Sequence, residues 1–573
     1  MPTLRRSDSA RADRNRDGLP PSRPPLRPGA RWARWALVFL LAFTLLRGAV
    51  WAVTFPPFFG PDEDYHFLYV EYLTTQHALP SPDKPLYPRE YPALVEAMHY
   101  DDYCCGPRIT FAGQQDPKYS LKQSEWWPKS YRQPFEMGRG VGVVHPPLYH
   151  LGAAAVNRSL GDASVFTRYQ AVRWYSSVIG VLLVFAAWLL AAQVFRNESL
   201  RLLVAFLVAV QPMVSVLSGI ANHDILVAAT FTLAMALMLF LMRSPPTPRQ
   251  GLWLGGAIGL ALLTKGTALV LIPLAGVAYA LQALANRGQL RTVLRSAAYA
   301  GGAVAVLASG FYAYNVIAHG TLTGQVGGTP SGPAGAASVT LSDIWSMTKQ
   351  WTGFTYRTYW FHHFWYEAPK ASLIFYLPAY IGVVGMAGLA TLAVRHRRDL
   401  LSPERPLLRQ VAFLTLCALA LYLPLLYVDI RHNIDGHGFS MTGGRYLIPA
   451  YAGVAVCLVA GLRELVDRRA QPIVFTGVAF AGAFVCWTVY SKNYMHRYYG
   501  DKHIPFGTLL RNMSFDRPEF VTPTTLRVTM VLILLSLAAA ALAVVAGNLP
   551  PGAASRLRGW RPAARGRVAA PTR

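Results

Sequence analysis

The chain has 573 residues, 53% of them hydrophobic and 14% charged, with a positive mean hydropathy. That is too apolar for a soluble enzyme of this length and predicts an all-α polytopic membrane protein, because lipid leaves backbone groups no partner but one another. The formal charge of +25 lies in two Arg/Pro-rich ends and in short connectors rather than in a basic module with interleaved aromatics, so no nucleic-acid partner is expected.

Residues 1–34 read as a disordered basic tail, 35–547 as the membrane domain and 548–573 as a second basic tail. About 20 apolar residues cross the hydrocarbon core. Twelve candidate spans begin near Trp35, Val172, Leu200, Ile225, Gly251, Gly266, Ser296, Leu373, Leu407, Tyr446, Ile473 and Arg527. With the N-terminus inside, the connectors "FRNESLR", "RSPPTPRQ", "NRGQLRTVLR", "RHRRDLLSPERPLLR" and "RELVDRRAQP" all fall on the cytoplasmic side, as the positive-inside rule requires. Both termini are then cytoplasmic. The same threading makes "HPPLYHLGAAAVNRSLG" (145–161) a helix at the outer surface, since a further span there would invert every later connector.

The extracytoplasmic side then owns residues 55–171, 319–372, 429–445 and 491–526. The first of these holds 13 of the chain's 29 acids and is too long and aromatic for a connector, so interfacial helices are expected in it. It opens with "FFGPDEDYHF". Pro61 followed by Asp62, Glu63 and Asp64 suits a helix start with acids at its positive end, and capping alone would account for them. Against that reading stand the position at the mouth of the membrane domain and His66, one turn beyond Asp62. Carboxylates there can act as a base toward a hydroxyl or hold a divalent cation.

Further polar groups mark the same boundary. "SGIANHDILVAATF" places Asn222, His223 and Asp224 between two spans, "ALLTKGTALVLIPL" places Lys265, and "GFSMTGGRYLIPAYAG" places Arg445. Asp224 also suits a helix cap, and the two cations also suit snorkelling. Their convergence on one face favours acids that manage a proton or metal and cations that hold a phosphate, with Gly443-Gly444 admitting it to the backbone. Arg47, inside the first span, either snorkels or pairs. "GGTPSGPAGAASVT" from Gly327 lacks the strand and helix of a phosphate loop. "WTGFTYRTYWFHHFWYEAP" (351–369) suits interfacial anchoring or sugar stacking, with His362, His363 and Glu367 open to a metal or acceptor role. In "HPPLYH", His145, Tyr149 and His150 are open to the same roles, with packing beneath the outer loop the favoured one. Cys417, Cys457 and Cys486 read as packing residues within spans, while Cys104 and Cys105 lie in the outer loop.

The ordered series "PDEDYHF", "HPPLYH", "NHD", "TKGT" and "GRYLIP", from about Trp35 to Tyr446, resembles the GT-C superfamily of integral-membrane glycosyltransferases, its bacterial polyprenyl-phosphate-sugar members and a predicted-membrane-protein branch. The resemblance implies a GT-C-like bundle of about 12 spans in the bacterial cytoplasmic membrane, with an extracytoplasmic active site. It implies sugar transfer from a polyprenyl-phosphate donor, usually with inversion, to an acceptor hydroxyl on a glycan, lipid or protein. Asp62 then corresponds to the base or metal-site acid, supported by Glu63; Asp224, beside His223, matches the second acid; Lys265 and Arg445 contact the donor phosphate. Asp62 and Asp224 are the candidate ligands of a divalent cation, Mg2+ or Mn2+. Two other readings stand beside the transferase: a transporter or flippase for lipid-linked saccharides, and a polymerase or ligase acting on them.

Overall fold

A computed structural model describes residues 30–80, 91–98, 100, 145–243, 245–285, 287–322, 340–361, 373–399, 406–434, 443–500, 503–515 and 517–548. Cys104, Cys105, the segment from Gly327, and His362, His363 and Glu367 lie outside the described residues, as do most of the two tails.

The described architecture is helical. In chain order it runs α1 (Ala30–Thr54), α2 (Glu63–Gln76), α3 (Tyr91–Ala97), α4 (Leu148–Ser159), α5 (Val165–Val194), α6 (Glu198–Ala209), α7 (Pro212–Leu217), α8 (Asp224–Leu241) and α9 (Pro248–Leu262). It continues with α10 (Leu271–Ala285), α11 (Leu290–His319), α12 (Leu341–Phe361), α13 (Leu373–His396), α14 (Leu407–Ile434), α15 (Ile448–Leu465), α16 (Gln471–Thr488), α17 (Phe506–Ser514) and α18 (Pro523–Asn548).

Ten helices among the described residues are long and apolar enough to cross a membrane. Two of the twelve expected spans are shorter. The stretch from Leu200 divides into α6 and α7 because Pro212 cannot continue a helix that reaches Val210, and the stretch from Gly251 is the 15-residue α9. "HPPLYH" leads into α4, a short helix rather than a span, as expected.

Around α1, α5, α8 and α15 the bundle is closely packed: 78% of the most apolar stretch of α8 and 72% of that of α15 are buried, whereas α18 buries almost none of its length. The peripheral helices thus keep apolar side chains outward, where lipid rather than water would meet them. Cys417, Cys457 and Cys486 are free and buried, in keeping with a packing role.

At the C-terminal end of α1, Pro56 and Pro57 end the helix and leave its last carbonyls unpaired. Two arginines take them up. Arg173 donates to the carbonyls of Ala52 (2.8 Å), Phe55 (2.7 Å) and Pro56 (2.9 Å), and Arg517 to those of Val53 (2.8 Å) and Phe55 (2.8 Å). Cations at a helix C-terminus complement its dipole. They fix where the loop carrying the three acids leaves the membrane domain.

Candidate active site

The three consecutive acids point three ways. Helix α2 starts at Glu63, not at Pro61, and Asp62 precedes it in the left-handed region at φ 54°, with no capping hydrogen bond from its side chain. A non-glycine residue held there carries local strain and is a marker for function. Its carboxylate, 43% exposed, instead accepts a hydrogen bond at 2.6 Å from Nη2 of Arg445. The capping explanation therefore fails for Asp62.

Glu63, expected beside Asp62 in the catalytic pair, is fully buried and faces the membrane domain. Its Oε1 accepts from Arg173 Nε at 2.7 Å and the Ala221 amide at 2.8 Å; its Oε2 accepts from Arg173 Nη2 at 2.8 Å and the Gly60 amide at 3.1 Å. With both oxygens occupied and no exposure, it has no lone pair to offer a substrate. Asp64 accepts from Tyr91 Oη at 2.9 Å and ties α2 to α3.

The "NHD" turn is laced onto this loop. Asn222 donates to the Pro61 carbonyl at 2.8 Å and its Oδ1 accepts from the Asp224 amide at 2.7 Å, so Asn222, rather than Asp224, serves the start of α8. Asp224 is buried and pairs through Oδ1 with the ammonium of Lys265. Its Oδ2 has no hydrogen-bond partner among the described residues and lies 3.7 Å from Arg445 Nε. Lys265 and Arg445 do not snorkel: Lys265 is buried and Arg445 largely so, against the ring of Tyr446, 4.1 and 5.0 Å from its centroid. Arg445 Nη1 is buried without a hydrogen-bond partner among the described residues.

The Arg445 guanidinium stands between the Asp62 and Asp224 carboxylates, 2.6 Å from one and 3.7 Å from the other. Gly444 has a packing role. A Cβ there would lie 2.4 Å from the Tyr359 amide nitrogen and 2.5 Å from the Thr355 carbonyl oxygen, and its own amide donates to Thr358 Oγ1 at 2.7 Å. Glycine is needed at this position to press Arg445's segment onto α12, not to admit a phosphate.

Burial raises the Asp62 carboxyl, yet Arg445 outweighs burial and holds it below its ordinary value of 3.8. The imidazoles of His66, His150 and His223 are pushed well below theirs, first by burial and then by neighbouring positive groups; His145 falls to about 4 for the same reason. All four are neutral near pH 7. An apolar cavity of about 440 Å³ runs between α12, α13, α15 and α16, with Tyr359, Trp360, Tyr451, Met386 and Val485 on its walls. Tyr359 and Trp360 thus line a groove instead of forming a surface girdle.

Residues 45–454 match the model of a family described as "Predicted membrane protein (DUF2142)". The chain belongs to this family. A predicted-membrane-protein branch is what the motif order resembled, and the DUF2142 match takes in every site residue from Asp62 to Arg445 while stopping inside α15. No curated protein matches the chain. Among solved structures it is similar to ArnT from Cupriavidus metallidurans bound to undecaprenyl phosphate, at 16% identity over 88% of this chain and 75% of that one, with a TM-score of 0.41. It is also similar to the archaeal oligosaccharyltransferase AglB from Archaeoglobus fulgidus in complex with an inhibitory peptide and a dolichol-phosphate, at 14% identity over 85% of this chain and 58% of that one, with a TM-score of 0.40.

In this DUF2142 member the sequence reading missed two buried ion pairs that hold the site. Besides Glu63–Arg173, Glu71 accepts from Arg168 at 2.6 Å and from Asn157 at 2.8 Å, all three buried. A signal was present. Glu63 and Glu71, eight apart, share one face of α2, while Arg168 and Arg173 sit in the opening turns of an apolar span, where charges need partners.

Proposed function

We propose that the protein transfers a sugar from a polyprenyl-phosphate donor to an acceptor hydroxyl on the extracytoplasmic face of the membrane. One observation carries the reading: a strained, half-exposed Asp62 carboxylate is held by Arg445, whose Nη1 is buried without a hydrogen-bond partner among the described residues and whose neighbour Gly444 is pressed against Tyr359, on the wall of an apolar groove. The groove suits a prenyl chain, Arg445 and Lys265 suit the phosphate, and Asp62 suits the acceptor. The motif resemblance points to the same roles.

In the reaction, Asp62 takes the acceptor proton as the acceptor oxygen bonds to the anomeric carbon. The bond from that carbon to the phosphate oxygen breaks, and polyprenyl phosphate leaves with the electron pair. Cations stabilise the charge gathering on the leaving group. Arg445 has a second part in this scheme. While paired with Asp62 it keeps the carboxylate a weak base; a donor phosphate that draws the guanidinium away removes the largest of the influences that lower the Asp62 pKa against burial, so donor binding readies the base. Glu63 and Arg173 hold the loop and take no proton.

The test uses purified protein and its Asp62→Asn variant with a panel of polyprenyl-phosphate sugars and membrane-extracted acceptors, following release of polyprenyl phosphate. Release by wild type, reduced about 10²–10⁴-fold in the variant, is expected. Equal release by both removes Asp62 from the mechanism. No release by either, with movement of the lipid-linked sugar across reconstituted vesicles, replaces the transferase by a transporter.

A further inference from the structure

Beside the acid–cation site lies a second cluster with no part in the transfer scheme. His66 from the first turn of α2, His150 from the first turn of α4 and His223 just before α8 bring three imidazoles together, each at most 1% exposed. His66 Nδ1 lies 3.0 Å from His150 Nε2 and 3.4 Å from His223 Nδ1, and one ring nitrogen from each of the three lies within 4.8 Å of the others. Ligand nitrogens at 2.0–2.1 Å around a tetrahedral zinc are roughly 3.3 Å apart. Two edges of the cluster therefore already have about the spacing of one face of such a tetrahedron, and the third lies within 4.8 Å.

Hydrogen bonding among the rings can account for His66 but not for the outward nitrogens. His223 Nε2 is buried without a hydrogen-bond partner among the described residues, and His150 Nδ1, also buried, has only the Pro146 carbonyl as a backbone neighbour acting on its ring. Ligation through His150 Nε2 and His223 Nδ1 would leave the N–H on those outward atoms. For His223 it would then aim at Asp224 Oδ1, 3.5 Å away, the carboxylate–imidazole–metal relay that orients many ligating histidines. The His150 ring is fixed by stacking on Tyr69, centroids 4.0 Å apart at 14°. His145, its ring centroid 4.5 Å from that of His223, borders the remaining side.

We infer that His66, His150 and His223 form a binding site for one zinc-class divalent ion, which pins α2 and α4 to the start of α8. Three imidazoles favour zinc, cobalt, nickel or copper over magnesium, which prefers oxygen ligands. Lys265 and Arg445 lie nearby and oppose a further positive charge, but each is paired with a carboxylate. The inference does not depend on the transferase reading.

The test needs no enzymatic assay. Protein purified through a histidine-free tag is stripped with a chelator, dialysed against Co2+ and examined for metal content and visible absorption. One Co2+ per chain with the strong bands of a tetrahedral site is expected, together with loss of both in His150→Gln and His223→Gln. Substoichiometric metal without those bands in wild type overturns the inference, as does full binding retained by both variants. Should either variant not fold, X-ray absorption of the zinc-loaded wild type decides: three imidazole nitrogens in the shell support the site, and one or none overturns it.

Discussion

Arg445 reaches across 383 positions of sequence to hold Asp62 from 2.6 Å, and that pair sets the protonation of the one half-exposed carboxylate in the site. Because the folded-state pKa of Asp62 is depressed, its contribution to stability is present above its unfolded value near 3.8 and is lost as pH falls through the lower, folded value. Transfer by wild type should therefore show no loss from Asp62 protonation between pH 7 and 5. Arg445→Gln removes the largest of the lowering influences, leaving only those of Lys265 and His145 against burial, which raises. The acid limb of kcat/KM should move upward in that variant; a limb that stays in place would separate Asp62 from the measured rate.

Glu63→Gln and Asp62→Asn should behave oppositely although the residues are adjacent. The first leaves Arg173 charged and fully buried beside a neutral partner, a change that costs about 3–5 kcal/mol where one member of a buried pair is removed. A large fall in Tm is expected. The second removes a partly exposed carboxylate, so Tm should stay close to wild type while transfer is lost. Thermal unfolding in detergent, measured on both, checks the division between scaffold and chemistry.

The helical membrane class, α4 as a short helix, and the approach of Asp62, Asp224, Lys265 and Arg445 to one another were legible because hydropathy and charge sidedness are one-dimensional signals. What each charge does was not. Asp62 and Glu63 are neighbours of identical chemistry, and only the left-handed turn at Asp62 sends one toward Arg445 and the other toward Arg173. His66, His150 and His223 are spread over 158 positions, so their meeting depends on how α2, α4 and α8 pack. Gly444 read as an opening for a phosphate because sequence records a missing side chain without recording which neighbour takes its space.

That space gives a third prediction. In Gly444→Ala the new methyl would meet the backbone of Tyr359 and Thr355, which cannot rotate away as a side chain can. Overpacking of this kind costs about 1–3 kcal/mol. The variant should lose stability and, because Arg445 is the next residue, bind polyprenyl phosphate more weakly. Unchanged Tm and affinity would show that α12 gives way freely at this contact.

Lys265 is paired with Asp224 and is also assigned to the donor phosphate, and these two duties can be separated. Four charges meet in the resting site: Asp62 and Asp224 against Lys265 and Arg445, with no net charge. Lys265→Met leaves Asp224 buried with only the more distant Arg445 nitrogen, so both stability and phosphate binding should fall. Adding Asp224→Asn removes the stranded charge. If Lys265 merely neutralises Asp224, the double variant should recover Tm and donor affinity together. If Lys265 also holds the phosphate, it should recover most of the Tm and little of the affinity, because one of the two cations remains absent. The second outcome is expected. Thermal unfolding and polyprenyl-phosphate titration of the wild type, both single variants and the double variant supply the coupling energy directly.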